Sequence, residues 1–230
     1  MTLSEAAVLL RGLAPTLLEG LTASERATLF EAATVRTFEP GSLITRQGFP
    51  AAVTALLVRG RARFSCTTIT GRKLNFHWIR PGDVCGLATW LLHPRDYLMS
   101  AEVVKASVAL VWRRTAIRSF VESHPRIMEN MMLLGYEYIH FHQMAHIASA
   151  GQTARQRLAL VLGSMAEGIG HEVEAGIELN VRNEDLAHEA NVTVFTASRL
   201  LNEWQRERLL MKSRGKIVLR SPQDLLRCAS

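Results

Sequence analysis

The pattern of apolar and polar positions changes character along the 230-residue chain. Near the start, Leu9, Leu10, Leu13, Leu17, Leu18 and Leu21 recur at roughly helical spacing, with Pro15 breaking the run. A further helix is predicted over Glu25–Ala33, capped by Ser24, with Leu29 and Phe30 toward a core. From Val35 the period shortens. The turns Glu39-Pro40-Gly41, Gln47-Gly48-Phe49-Pro50, Arg59-Gly60, Thr70-Gly71 and Arg80-Pro81-Gly82-Asp83 separate β-prone runs. These runs are Leu43–Thr45, Ala55–Val58, Ala62–Thr67 and Leu74–Ile79, and Ser100–Trp112 adds another long strand or pair. Regular glycine turns between short strands predict a compact barrel or jelly roll.

The helical period then returns. Thr115–Phe120 reads as a short helix. His124-Pro125 marks a helix start, with proline preset for the first turn. In the helix from Arg126 to about Ser149, Ile127, Met131, Leu134, Tyr138, Phe141, Ala145 and Ala148 alternate spacings of four and three. That is a coiled-coil seam, which calls for a partner helix. Packing on the chain's own strands is the alternative. Ala150-Gly151-Gln152 breaks the helix, and another, Thr153–Glu167, ends at Gly168-Ile169-Gly170. Ile177–Val181 reads as a short strand.

Asn183 to Arg199 reads as two short helices around a tight turn. Asn183 is the expected cap of the first, followed by Glu184 and Asp185 at the positive end of the helix dipole. Asn191 suits a left-handed turn, and Thr193 caps the second helix, which runs to about Arg206. This is the layout of a helix-turn-helix, whose second helix enters the major groove by its N-terminal residues. Met211–Leu219 then reads as a β-hairpin turning at Arg214-Gly215, the wing of a winged helix.

Charge sharpens this picture. The whole chain is +6 with a pI near 9.7. From Arg199 to Arg227 there are eight basic residues against three acidic, a net of +5. Beside a helix-turn-helix, such a segment points to DNA phosphates. The three cysteines, Cys66, Cys85 and Cys228, are scattered and form no CxxC. Their spacing argues against a disulfide scaffold, a structural zinc site or a four-cysteine iron–sulfur cluster. No run approaches a membrane span, no signal peptide is evident, and a cytoplasmic location is expected. No nucleophile–base pair, Walker loop or paired-carboxylate motif is present, so an enzyme is not expected.

The spacing of Gly41, Gly48, Gly60, Gly71, Gly82 and Gly86 resembles that of the cyclic-nucleotide-binding β-roll. Thr196-Ala197-Ser198-Arg199-Leu200-Leu201, with Trp204 and Leu209-Leu210, resembles the recognition helix of the Crp/Fnr superfamily of bacterial transcription regulators. The resemblance spans essentially the whole chain. It implies an α+β protein: an N-terminal double-stranded β-roll (jelly roll), a long dimerisation helix and a C-terminal winged helix-turn-helix. The expected segments are 1–124 for the sensor domain, 125–149 for the dimerisation helix and 150–230 for the DNA-binding domain. The partners it implies are double-stranded DNA with a near-palindromic operator, a second copy of the chain and, for an activator, RNA polymerase.

The resemblance assigns base reading to Arg199, since arginine bonds guanine O6 and N7 bidentately. A phosphate contact or an ion pair to Glu203 is the alternative use of that side chain. Ser198 matches a position that touches bases or backbone. Thr193 and Thr196 are candidate phosphate ligands, with Val194 beside them. Phe195 departs from the family, where glutamate is common; it is left to contact a thymine methyl or to pack within the domain. Lys212, Arg214 and Lys216 on the wing are expected to add salt-dependent, sequence-independent affinity.

The family's ribose-binding glutamate aligns with Leu87 and its phosphate-binding arginine with Met99. A cyclic phosphate opposite leucine and methionine lacks its charge partner, so cyclic AMP is not expected. An iron–sulfur cluster is not expected either, because no cysteine precedes Cys66. The candidate effector pocket is apolar: Leu87, Trp90 and Met99, with Tyr138, His142 and Gln143 from the long helix. His142 and His146, spaced i, i+4, are compatible with haem or a metal ion. Two other readings therefore stay open: a haem- or metal-based gas or redox sensor, and a non-DNA-binding regulatory subunit with a degenerate roll.

Overall fold

The computed structural model describes residues 1–71, 73–213 and 215–229, with backbone alone for 141, 142 and 144–150. The chain forms two compact units, residues 1–141 and 142–230.

The first unit opens with α1 (Leu3–Leu13), a single 3-10 turn (Thr16–Leu18) after Pro15, and α2 (Ala23–Glu31). Both helices begin with reciprocal caps. The Thr2 hydroxyl accepts from Glu5 N while the Glu5 carboxylate accepts from Thr2 N, and Thr22 and Glu25 repeat the arrangement. The cap of α2 is therefore Thr22 rather than Ser24. Glutamate three residues after Thr22 can reciprocate, whereas Ala27, three after Ser24, cannot.

Six strands follow: β1 (Thr34–Phe38), β2 (Leu43–Thr45), β3 (Val53–Thr67), β4 (Lys73–Ile79), β5 (Val84–Cys85) and β6 (Ser100–Arg113). All pair antiparallel. β6 pairs with β1, β2 and β3, and β3 also pairs with β4 and β5. The expected runs Ala55–Val58 and Ala62–Thr67 are one strand rather than two. Register shifts between Leu57 and Ala62 bend β3 without ending it. Gly60 sits at that bend with φ of +99°, and a Cβ there would collide with Ser107 and the Ala106 carbonyl.

Alternation along the strands sorts two cores. Phe38, Ile44, Ala55, Leu57, Phe64, Ile79, Cys85, Ala101, Val103 and Val111 come from all six strands and fill the inside of the roll. Leu56, Val58, Leu110 and Trp112 point the other way, under a layer made by α1, α2, α3 (Arg114–Ser123) and the start of α4 (Pro125–Gly151). Trp112 is fully buried there and its indole N–H donates to Leu29 O at 2.6 Å.

The first part of the apolar seam of α4 packs against its own chain. Ile127 and Met131 are buried in the helical layer, Leu134 packs against it, and Tyr138 packs into the roll. Asn130, also buried, donates to Leu17 O at 3.0 Å and Glu19 O at 2.8 Å, fixing α4 to the 3-10 turn. Ile127 and Met131 are thus covered by their own chain, while Leu134 and Tyr138 stay half-buried. The remaining seam positions, Phe141, Ala145 and Ala148, lie outside the described side chains.

The second unit contains α5 (Ala154–Ile169), β7 (His171–Val173), β8 (Gly176–Asn180), α6 (Asn183–Glu189), α7 (Val194–Arg206), β9 (Leu210–Ser213), β10 (Lys216–Leu219) and α8 (Pro222–Ala229). The sheet order is β7-β8-β10-β9. The strand expected over Ile177–Val181 is β8, with a hairpin partner, β7, that its pattern does not announce. Leu158, Leu162, Leu179, Leu186, Leu201, Trp204, Ile217 and Leu225 form the core.

Candidate nucleic-acid interface and effector pocket

The helix-turn-helix is built by two helix ends. α6 terminates in a complete Schellman motif: Val192 N donates to Ala187 O at 2.9 Å and Asn191 N to His188 O at 3.2 Å. Asn191 takes the left-handed conformation this requires, with φ of 50°. α7 starts at Thr193, whose hydroxyl accepts from Thr196 N at 3.0 Å. At the other end of the motif, Asn183 is not the cap. Arg182 holds that position with no side-chain cap bond, and its guanidinium pairs with Asp185 at 3.1 and 3.2 Å. That ion pair holds the Asp185 carboxyl below its usual range.

α7 is sharply two-sided. Ala197, Leu200, Leu201 and Trp204 are buried, and Phe195, Arg199, Asn202 and Arg206 form an exposed row along the opposite side. Phe195 is 80% exposed, which rules out packing within the domain. Val194 beside it is also exposed, while Thr196 and Ser198 are half-buried. The Thr193 and Thr196 hydroxyls are 2.9 Å apart and hydrogen-bond each other.

Arg199 is held by an ionic chain. Its Nη1 is 2.5 Å from Glu203 Oε1, and Arg155 from α5 reaches Glu203 at 3.4 Å and Glu207 at 2.7 Å. The Arg199 side chain stays 55% exposed. An exposed pair of this kind is worth about 0–1 kcal/mol, less than the about 1–3 kcal/mol of a bidentate guanine contact. The pair therefore orients Arg199 without locking it. The Arg199–Glu203 pair is the i, i+4 contact that the sequence offers, whereas Asn202 and Arg155 are not singled out by it. Asn202 is findable there as the residue three after Arg199 and seven after Phe195, but Arg155 lies 44 positions upstream of Arg199 and only the fold brings it in.

On the wing, Lys212 donates to Asn202 Oδ1 at 3.3 Å and Lys216 pairs with Glu178 at 3.0 Å. Lys212 thus ties the wing to the exposed row of α7. Arg214 lies outside the described residues.

The pocket residues fall on two sides of the roll. Leu87 packs on the helical layer, and Trp90 is buried in it with Nε1 donating to Thr54 Oγ1 at 2.8 Å. Thr54 and Thr89 share a short hydroxyl–hydroxyl bond beneath the indole. Gly86, with φ of +89°, makes this approach: a Cβ would strike the Val53 carbonyl. Leu87 and Trp90 are therefore structural members of the outer core, separated from Met99 and Tyr138, which meet inside the roll.

There the Tyr138 hydroxyl donates to Met99 Sδ at 3.1 Å. Its ring lies 5.9 Å from Phe64, edge-on, and 5.2 Å from His77, which is 5.0 Å from Phe64. Gln143 is exposed. The His142 and His146 side chains lie outside the described residues; among those described, no cluster of three His, Cys, Asp or Glu could hold a metal ion.

Burial, with a lesser electrostatic contribution from neighbouring Cys66, pushes the Tyr138 hydroxyl up to about 12. A folded pKa above the unfolded value of about 10 favours the neutral phenol in the fold. That stability is intact below pH ~10 and is lost as the pH rises through about 12. Denaturant unfolding at rising pH should show the first unit weakening in that window, with a smaller decline in Tyr138→Phe. An unchanged decline would place the effect elsewhere, Tyr97 being also raised by burial.

Two family models match in tandem: the cyclic nucleotide-binding domain over residues 35–124 and the Crp-like helix-turn-helix domain over residues 156–228. No curated protein matches the chain. Among solved structures, a putative Crp/Fnr-family regulator from Eubacterium rectale is 16% identical with a TM-score of 0.73, covering 92% of this chain and 97% of that one. The c-di-GMP-responsive global regulator CLP of Xanthomonas campestris is 14% identical with a TM-score of 0.72, covering 87% and 100%. FixK2 of Bradyrhizobium japonicum is 20% identical with a TM-score of 0.66, covering 86% and 98%. At such identities the structures speak to the fold, and the paired domain matches carry the family. With a nucleotide-binding-type roll followed by a winged helix-turn-helix of the matching kind, the chain belongs to the Crp/Fnr superfamily of transcription regulators.

Proposed function

We propose that the protein is a homodimeric, cytoplasmic, sequence-specific transcription regulator whose effector is not cyclic AMP. The observation that carries DNA reading is the exposed row Phe195, Arg199, Asn202 and Arg206 on α7, backed by the buried row that anchors it. Arg199 reads guanine, Thr193 and Ser198 touch the backbone, and Lys212 and Lys216 add phosphate contacts.

Dimerisation uses the face of α4 that its own subunit leaves bare. Met132, Tyr136 and Ile139 are 71%, 66% and 67% exposed and repeat the spacing of four and three, continued by exposed Gln143. Such an apolar stripe on a long helix favours a mate, and a two-fold pair of readers favours a near-palindromic operator.

Against cyclic AMP stands the interior of the roll. Met99 occupies the position that the resemblance gives to the phosphate-binding arginine, and it bonds Tyr138 rather than presenting a charge. Tyr138 joins the roll to α4, so a ligand or signal that displaces it would shift the balance between two arrangements of that helix. Selection of random-sequence duplexes by the purified protein tests the function: a near-palindromic consensus is expected, recovered equally with and without cyclic AMP.

A further inference from the structure

We infer that Phe195 is a specificity-determining residue that recognises a thymine methyl in the major groove, within about two base pairs of the guanine read by Arg199. The inference rests on the DNA-reading function above and names what its unusual residue reads.

Phe195 is the second residue of α7, at the end that enters the groove, and is 80% exposed. The domain already buries Leu200, Leu201 and Trp204 from this helix, so Phe195 is not a core residue displaced outward. Val194 next to it is exposed too, and neither side chain has a hydrogen-bonding atom. The remaining polar group of this turn, the Thr196 hydroxyl, is engaged with Thr193. The leading edge of the reading helix is thus apolar, followed one turn later by the cationic Arg199.

The major groove offers hydrogen-bonding edges on every base pair and one apolar group, the C5-methyl of thymine. A phenyl ring set against the cytosine amino group or the guanine O6/N7 edge would strip water from a polar atom without replacing its bond, losing roughly ten-fold or more in affinity. Against the methyl it loses nothing and buries apolar area. Register follows from helix geometry: Phe195 and Arg199 are four residues apart, about 6 Å along the axis. Base pairs step by about 3.4 Å, which puts the two contacts about two steps apart.

The test replaces thymines one at a time by deoxyuridine in the operator recovered from random-sequence DNA. Uracil pairs identically and lacks only the methyl. At one thymine in each half-site, the substitution should weaken the wild-type protein about four-fold, the worth of one buried carbon. Phe195→Ala should bind thymine and uracil operators equally, at the weaker level. Phe195→Leu, which keeps an apolar side chain, should retain discrimination. Because the residue is exposed, neither variant endangers the fold. Equal wild-type binding to both operators, discrimination retained by Phe195→Ala, or a recovered site with no thymine in that window would overturn the inference while leaving DNA reading intact. A pool with no enriched sequence would overturn DNA reading itself, and this inference with it.

Discussion

Arg199→Ala should abolish preference for the operator while leaving the protein folded and bound weakly to any DNA. The residue is exposed and its partner Glu203 keeps a second cation, Arg155, so the fold loses only a surface ion pair, about 0–1 kcal/mol. On DNA the loss is a bidentate guanine contact, about 1–3 kcal/mol in each half-site. Doubled across a two-fold complex, that is roughly 30-fold to 10⁴-fold in specific affinity. Non-specific affinity should fall little, since one phosphate-range charge is removed among many. Titration of labelled operator and scrambled duplex at one salt concentration separates the two. Operator affinity within three-fold of wild type would mean that guanine is read by another residue. Glu203→Gln is the complementary variant: it frees Arg199 from its ion pair but keeps the arginine, so operator binding should persist.

Ile139→Glu should convert the dimer to monomers and weaken operator binding by about 10²–10⁴-fold, because the second half-site then binds without the effective concentration supplied by the first. The substitution puts two carboxylates into an apolar seam where Met132 and Tyr136 flank them, and a two-fold axis brings like charges together. Sedimentation at micromolar concentration reads the mass, and thermal unfolding shows that each subunit remains folded, since Ile139 is exposed within its own chain. Ile127→Ala gives the contrast. Ile127 is fully buried in the helical layer, and its truncation should cost the subunit about 2–5 kcal/mol of stability and act on dimerisation only through the fold. If Ile139→Glu stayed dimeric, the exposed face of α4 would not be the interface.

These two variants also mark what was and was not legible in the sequence. The α4 helix was legible from its period, and so was the presence of an apolar seam. Which seam faces outward was not. Ile127, Met131, Leu134 and Tyr138 read as a heptad stripe, but a helix lying on a roll needs one stripe for its own subunit, and the stripe at Met132, Tyr136 and Ile139 is left over. Periodicity states that a face is apolar and not what covers it.

The reading head was more legible, because helix ends are written locally. Asn191 and Thr193 sit where a left-handed turn and a cap are needed, and both take those conformations. Asn183 misled because a good capping residue one place late still lies beside the true boundary, at Arg182. The strands were legible from their turns, apart from the bend at Gly60, where a glycine that reads as a turn marks a bulge within one strand. The pocket was the least legible. Leu87, Trp90 and Met99 are close in sequence, but the strand and 3-10 turn around them send side chains to opposite sides of the sheet. Only Met99 faces Tyr138.

The central claim is that this chain reads DNA sequence through the exposed row of α7. Its most direct test is the ratio of affinities for a duplex selected from a random pool and for the same duplex scrambled, at one fixed salt concentration. A near-palindromic duplex bound about 10³-fold or more tightly than its scrambled form is the predicted result. A pool that yields no consensus, with selected and scrambled duplexes bound equally, would contradict the account.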